Sequence, residues 1–181
     1  MAFTVIVQGA GYLTTSAKVS ISSASGQAAD IQLVALTTDS SGNLTHTQPG
    51  VEGTVKVLGT VAGGQVATVM SLSSPDVEDS SGNTVGGAGL SIPAGTTLRT
   101  ATGAAAANGP VTASVVSFSS SSPTALQAFP GGFAVTVGGS GPGTGTGVFT
   151  SGGFAAFNLT DAQGNAIKSF DSPITYLLYT S

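Results

Sequence analysis

The stretch Val111-Thr112-Ala113-Ser114-Val115-Val116-Ser117-Phe118, VTASVVSF, decides the fold class of this chain. It is short and rich in β-branched residues, and no window of eleven residues around it keeps the i, i+3, i+4, i+7 apolar stripe of a helix with helix formers between. Gly109-Pro110 precede it and a run of serines follows it, which is typical of strand ends. The pattern predicts a β-strand.

Segments of the same kind recur along the 181 residues, separated by Gly, Pro, Asn or Ser clusters. They cover residues 3–7, 18–21, 31–36, 54–58, 66–72, 133–137, 154–159 and 174–179. We therefore expect an all-β chain of about ten to twelve strands, at the spacing of one or two Ig-like antiparallel β-sandwiches.

Charged residues are scarce, at 7% of the chain against ~25% in an ordinary soluble domain. Because the net charge is only −4, little repulsion keeps copies of the chain apart, which favours a homo-oligomer or polymer. We expect no nucleic-acid partner, since the basic residues are too few and too scattered to neutralise a phosphate backbone. They are Lys18, Lys56, Arg99 and Lys168.

The chain has no cysteine, which excludes disulfides and thiolate metal sites. Its opening stretch, MAFTVIVQGAGYL, lacks a charged segment before the apolar run, and the run breaks at Gln8-Gly9. We interpret this stretch as neither a signal peptide nor a membrane anchor, and we expect no membrane span. Export under a leader outside this sequence and a cytoplasmic location both stay open on these grounds.

The pattern Asp-x-x-Gly-Asn occurs three times, at residues 39–43, 79–83 and 161–165. Asp accepts hydrogen bonds from nearby backbone N–H groups, and Gly adopts a positive φ without strain. The pattern therefore predicts type I turns in short hairpin loops between strands.

Calcium binding is the alternative interpretation of these loops. A calcium loop needs several acidic ligands, and residues 39–43 and 161–165 supply one each. Three acidic residues lie close together at one place, Asp76, Glu78 and Asp79. Calcium at this acidic loop is one hypothesis, and a solvated loop is the other.

No combination of residues in the sequence indicates catalysis. His46, the only histidine, lies in a loop rich in Thr, Pro and Gly, and no G-x-S-x-G motif supplies a nucleophile. The glycine-rich residues 138–147 lack the Gly-Lys-Ser/Thr ending of a phosphate loop. We predict that the protein is not an enzyme, with no catalytic residues and no cofactor other than the calcium considered above.

A sugar ligand is a further hypothesis, because aromatic rings can form a platform for a sugar. The chain has no Trp, and most of its Phe residues fall in predicted strands, where burial in the core is expected. Tyr12, Tyr176 and Tyr179 remain as candidates for a binding surface.

Residues 3–36 resemble the last part of a carboxypeptidase regulatory-like domain. The resemblance rests on Gly11-Tyr12 between two predicted strands and on Ile31-Gln32-Leu33 in a later one. It implies a transthyretin-like β-sandwich, but the first strands of that fold are missing from this sequence.

Residues 86–181 resemble a β-rich module of secreted bacterial surface proteins. The similar motifs are Ile92-Pro93-Ala94-Gly95-Thr96, Pro130-Gly131-Gly132 and the closing stretch TDAQGNAIKSFDSPI, which begins at Thr160. Such modules are mostly non-catalytic parts of surface and adhesion proteins. The resemblance therefore implies an extracellular or cell-surface location and brings no catalytic residues.

We expect a first sandwich at residues 1–75, a linker or acidic loop at 76–88 and a second sandwich at 89–181, with a single merged sandwich as the alternative. An incomplete first sandwich would leave a sheet edge open to a strand from another chain. Candidate side chains for such a donated strand alternate along either terminus. They are Phe3, Val5 and Val7, or Ile174, Tyr176 and Leu178.

Together these patterns predict a non-catalytic extracellular structural protein, a subunit of a fibre, a pilus-like filament or a surface layer joined by terminal strand addition. The alternative is a monomeric cell-surface adhesion or carbohydrate-binding module. In that case residues 1–8 and 174–179 would pair within their own chain.

Overall fold

A computed structural model describes residues 2–7, 9–20, 31–45, 49–79, 81–120, 122, 125, 134–137, 145–148 and 153–179. Within these ranges the chain is all-β, with fourteen strands. They are β1 Ala2–Val7, β2 Thr15–Ser20, β3 Val51–Ala62, β4 Gln65–Val66, β5 Met70–Ser73, β6 Val77–Glu78, β7 Thr84–Ile92, β8 Leu98–Thr100, β9 Gly109–Phe118, β10 Ala134–Val137, β11 Gly145–Val148, β12 Phe154–Thr160, β13 Ile167–Phe170 and β14 Thr175–Tyr179. No helix in the described ranges is long and apolar enough to cross a membrane.

Two larger antiparallel sheets form the body of the fold. The first has the strand order β12-β9-β3-β4, and the second has the order β14-β7-β5, with β6 also paired to β7. The two sheets pack face to face, because β3 contacts β5 and β7 contacts β9. The predicted all-β, sandwich-like fold is therefore confirmed.

The core between the two sheets follows from the alternation of side chains along their strands. From β9, Val111 and Val115 point into it, and they meet Met70 from β5 and Ile92 from β7. All four are fully buried. Each such side chain stabilises the fold by about 1.5–3 kcal/mol, which is why these strands lie where they do.

A second core covers the opposite face of the β9 sheet. Val116 and Phe118 of β9 pack there with Leu13, Val34 and Leu44, which come from the N-terminal part of the chain. Backbone hydrogen bonds tie this part together, from the Leu13 N–H to the Val34 oxygen at 2.9 Å and from the Leu36 N–H to the Gly11 oxygen at 2.7 Å. β9 is therefore buried on both faces.

Gly53 of β3 lies where β3, β9 and the N-terminal part of the chain approach closely. A Cβ atom at this position would stand 2.7 Å from the Val115 backbone oxygen and 2.8 Å from the Leu44 Cδ1 atom. The close packing of Leu44 on the sheet thus depends on the missing side chain.

The strands differ from the sequence-based predictions in three places. Residues 31–36 were expected to form a strand but make a single bridge, between Tyr12 and Ala35. The predicted strand 66–72 is interrupted, with β4 and β5 on either side of residues 67–69. Residues 84–92, which fall largely in the expected linker, form the nine-residue central strand β7.

The sheets do not divide at residues 76–88. β3, which precedes this segment, pairs with β9, which follows it, and β5 pairs with β7 in the same way. The segment itself carries β6 and the start of β7. Strand pairing therefore links the residues before this segment with the residues after it.

Candidate functional site

The three Asp-x-x-Gly-Asn stretches form the same turn. In each, the Asp N–H donates to the Asn backbone oxygen, and the Gly N–H donates back to the Asp oxygen, at 2.9–3.1 Å. The Asp side chain accepts two further backbone N–H groups, and the glycines Gly42, Gly82 and Gly164 have φ values of 86°, 80° and 82°. The predicted type I turn followed by a left-handed Gly is confirmed.

Two of the three acidic residues considered for calcium accept hydrogen bonds from different partners. Asp79 accepts the N–H groups of its own turn, from Ser81 at 2.8 Å and Asn83 at 3.0 Å, and the Asn83 backbone bond is the main reason why the Asp79 pKa is lowered. Asp76 accepts a hydrogen bond from the Tyr179 hydroxyl. In the part of the chain that the structure describes, no three His, Cys, Asp or Glu side chains form a group that could hold a metal ion.

Asp161 differs from the other two turn aspartates because it is buried, with 5% of its surface exposed. Its Oδ2 atom accepts a long-range hydrogen bond from the Ala107 N–H at 3.0 Å. This bond is the largest reason why the Asp161 pKa falls to about 2, ahead of the opposing effect of burial.

We expect Asp161→Ala to lower the free energy of unfolding by about 1–3 kcal/mol at pH 7, because three partly buried N–H groups lose a charged acceptor. Since the folded state lowers the pKa, this contribution is present above the ordinary Asp value of ~3.9 and is lost as the pH falls through about 2. Urea unfolding from pH 7 to pH 2 measures both effects. Asp39→Ala is the matched control, because Asp39 has the same position in a turn of the same type but is exposed. It should lower the free energy of unfolding by less. Equal losses in the two variants would contradict a special role for the Ala107 bond.

Glu52 on β3 is partly buried, and its pKa is raised by burial first and by the nearby Glu78 second. A raised pKa means that this group supports the fold at low pH and that its support is lost as the pH rises through the folded value. Glu52→Gln should therefore raise the melting temperature at pH 7 by about 1–3 °C, with little change at pH 4. Glu78→Gln removes only the smaller cause and should give a smaller rise. A fall in the melting temperature of Glu52→Gln at pH 7 would show that ionised Glu52 has a stabilising partner.

The outer edge of the second sheet exposes large apolar side chains. β14 is the outer strand of that sheet and pairs with β7 without a bulge, from Thr175 opposite Ser91 to Tyr179 opposite Gly87. Four consecutive large side chains of β14 are exposed, Tyr176 at 53%, Leu177 at 57%, Leu178 at 49% and Tyr179 at 37%. No described strand pairs with the outer edge of β14.

Tyr176 and Tyr179 hold β14 on the sandwich from opposite faces. The Tyr176 ring packs on Phe157 of β12, with ring centroids 4.8 Å apart. Tyr179 crosses the outer face above Gly87, where a Cβ atom would meet its ring, and its hydroxyl reaches Asp76. The hydrogen bond to Asp76 raises the Tyr179 pKa. β14 is thus anchored through its aromatic residues, while Leu177 and Leu178 remain outside.

A groove of about 1020 Å³ runs along β12, the outer strand of the first sheet. It is lined by residues 155–158 of β12, by residues 9–14 of the N-terminal segment, and by Gly164, Ala166 and Lys168. Apart from a bridge between Thr160 and Ala166, no described strand pairs with the outer edge of β12. The groove therefore follows an open strand edge.

The N-terminal assembly candidates lie in a hairpin. Phe3, Val5 and Val7 belong to β1, which pairs with β2 of its own chain, and this two-stranded sheet joins no other sheet in the described ranges. Val5 and Val7 are partly buried. Of the C-terminal candidates, Tyr176 and Leu178 lie on β14. Ile174 precedes β14 and packs against the core between the two sheets.

His46 was considered for catalysis, and Tyr12 for sugar binding. His46 lies outside the described residues. Tyr12 lines the β12 groove and is 46% exposed.

Sequence reasoning missed the exposed Leu177 and the edge of β12 that no described strand covers. The prediction selected alternate residues, which share one face of a strand, and therefore named residues 176 and 178 but not 177. The signal for Leu177 was the unbroken run Tyr-Leu-Leu-Tyr, in which neither face of the strand is polar.

Comparisons with known proteins identify no relative of this chain: no protein-family model, no curated protein and no solved structure matches it.

Proposed function

We propose that this chain is a non-catalytic structural protein that assembles with copies of itself through strand addition, outside the cell or at the cell surface. The observation that carries the proposal is the exposed edge strand β14, with the run Tyr176-Leu177-Leu178-Tyr179 on a strand that lacks an outer partner among the described residues.

Edge strands normally carry features that prevent pairing with other chains, such as a bulge, a proline or a lysine. β14 has an uninterrupted register, no proline and no charged residue. An exposed edge with these properties is a template for another strand. This is why strand addition fits β14 better than a solvated edge.

The low charge of the chain supports partners of the same kind. With 7% charged residues and a net charge of −4, two copies repel each other weakly at close approach. The resemblance of residues 86–181 to surface-protein modules supports the extracellular location. A monomeric adhesion or carbohydrate-binding module is the second candidate, and exposed Tyr12 in the β12 groove favours it.

Electron microscopy of the purified protein tests the proposal, with boiled and unboiled samples run on a denaturing gel. Strand-linked assembly predicts uniform filaments or sheets and a ladder that disappears on boiling. Monodisperse particles of one subunit, without a ladder, would contradict it and favour the monomeric module.

A further inference from the structure

We propose that the groove along β12 is the acceptor site for β14 of a second copy, so that the second sheet of one subunit continues into the first sheet of the next. This inference rests on the proposed function and names the surface and the segment that perform it. The contact joins two different surfaces, the β12 edge of one copy and the β14 edge of its neighbour.

The open edge of β12 is long enough to pair with the whole of β14. β12 has seven residues and β14 has five, which correspond to about 23 Å and about 17 Å at ~3.3 Å per residue. β14 keeps its ladder to β7 in this arrangement, because only its outer edge pairs with β12. No part of the donor sheet has to unfold.

Part of the groove lining consists of small side chains. Among them are Ala10, Ala101, Ala155, Ala156 and Ala166. Peptide recognition by strand addition relies on backbone hydrogen bonds, which small side chains along the edge permit.

The chemistry of the groove fits an uncharged strand. Lys168 is the one charged residue among the groove-lining residues that the structure describes. β14 carries no charge. Pairing would bury part of the apolar surface of Leu177 and Leu178 that is now exposed to water. The chain itself thus supplies, in every copy, an edge strand that suits the groove.

Contacts between two different surfaces have a consequence for assembly. When the rotation that relates neighbouring subunits does not close into a ring, such heterologous contacts build open filaments. Pairing of β14 with β14, by contrast, would use the same surface twice and would stop at a dimer.

A labelled peptide of residues 172–179, SPITYLLY, tests the groove without requiring assembly. The receptor is full-length protein with Leu177→Lys, whose groove is intact and whose own edge is blocked. We expect saturable binding by fluorescence anisotropy, and about tenfold or more weaker binding to a receptor that also carries Ala101→Trp, which fills the groove from an exposed turn. Ala94→Trp, at an exposed turn outside the groove, is the matched control and should not weaken binding.

Two outcomes of the peptide experiment would overturn the inference. One is no binding to the folded receptor. The other is saturable binding of a glycan that Ala101→Trp abolishes, without peptide binding, which would assign the groove to a sugar. Peptide binding by a protein that never assembles would instead contradict the proposed function and leave the groove assignment intact.

Single cysteines test the contact within the assembly, because the chain has none of its own. Subunits with Asn158→Cys on β12 are mixed with subunits that carry Leu177→Cys or Leu178→Cys. Since neighbouring residues of a strand point to opposite faces, we expect a mixed disulfide with one of these two positions and not with both. Assemblies that yield only 177–177 or 178–178 disulfides would overturn the inference, while self-association through an edge strand would stand.

Discussion

Leu177→Lys is expected to turn an assembling protein into a monomer without unfolding it. Leu177 is 57% exposed and points away from the core, so a lysine there costs little stability. On an edge strand, however, a lysine places a charge where the next strand must pair. Sedimentation velocity should show loss of all species larger than one subunit, with an unchanged melting temperature.

Val69→Lys is the control for this variant. Val69 is 61% exposed and precedes β5 outside any edge strand, so the same change of charge and size there should leave assembly intact. If both variants assemble like the original protein, β14 is not the contact. If both become monomers, charge alone controls assembly, and the position on β14 has no special role.

Phe118→Ala is expected to lower the free energy of unfolding by about 3–5 kcal/mol, which is typical of a large aromatic residue removed from a core. Phe118 is 2% exposed and packs among Val51 of β3 and Leu13 and Val34 of the N-terminal segment. Its loss leaves a cavity between the sheet and that segment. Urea unfolding followed by circular dichroism measures the change.

Tyr12→Ala provides the comparison, because Tyr12 belongs to the same N-terminal segment but is 46% exposed. This variant should lower the free energy of unfolding far less than Phe118→Ala does. A loss below ~1 kcal/mol for Phe118→Ala would show that the N-terminal segment does not pack on β9.

Local chemistry was enough to predict the turns. Asp and Gly at fixed spacing determine the hydrogen bonds of residues 39–43, 79–83 and 161–165 within five residues, so no distant contact is needed. A fourth turn of this geometry, with Thr100 in the place of Asp and Gly103 in the place of Gly, lacks the Asp signal and was not predicted.

Long-range packing decided the strands that were mispredicted. β7 contains Gly86, Gly87 and Gly89, which disfavour a strand locally, yet it is the central strand of its sheet. The side chain of Tyr179 lies over Gly87, where a Cβ atom would clash with its ring, so the requirement for a small residue at position 87 comes from β14, far along the chain. A local pattern cannot contain this information.

The candidate site was predictable only in part, for the same reason. The sequence indicated an apolar strand near residue 176, but which strand forms an edge depends on the pairing order of the whole sheet. The contact between Asp76 and Tyr179 joins residues 103 positions apart. The acidic loop therefore suggested calcium, although one of its carboxylates, Asp76, accepts a hydrogen bond from Tyr179 of β14.

Hydrogen–deuterium exchange on the assembled protein tests strand-edge assembly most directly, with the Leu177→Lys monomer measured beside it. Pairing between edges predicts that the amides of residues 154–158 and 175–179 exchange slowly in the assembly and faster in the monomer, whereas residues 111–118 stay protected in both. Assemblies in which both edge strands exchange as fast as in the monomer would contradict it, because the subunits would then be joined through another surface.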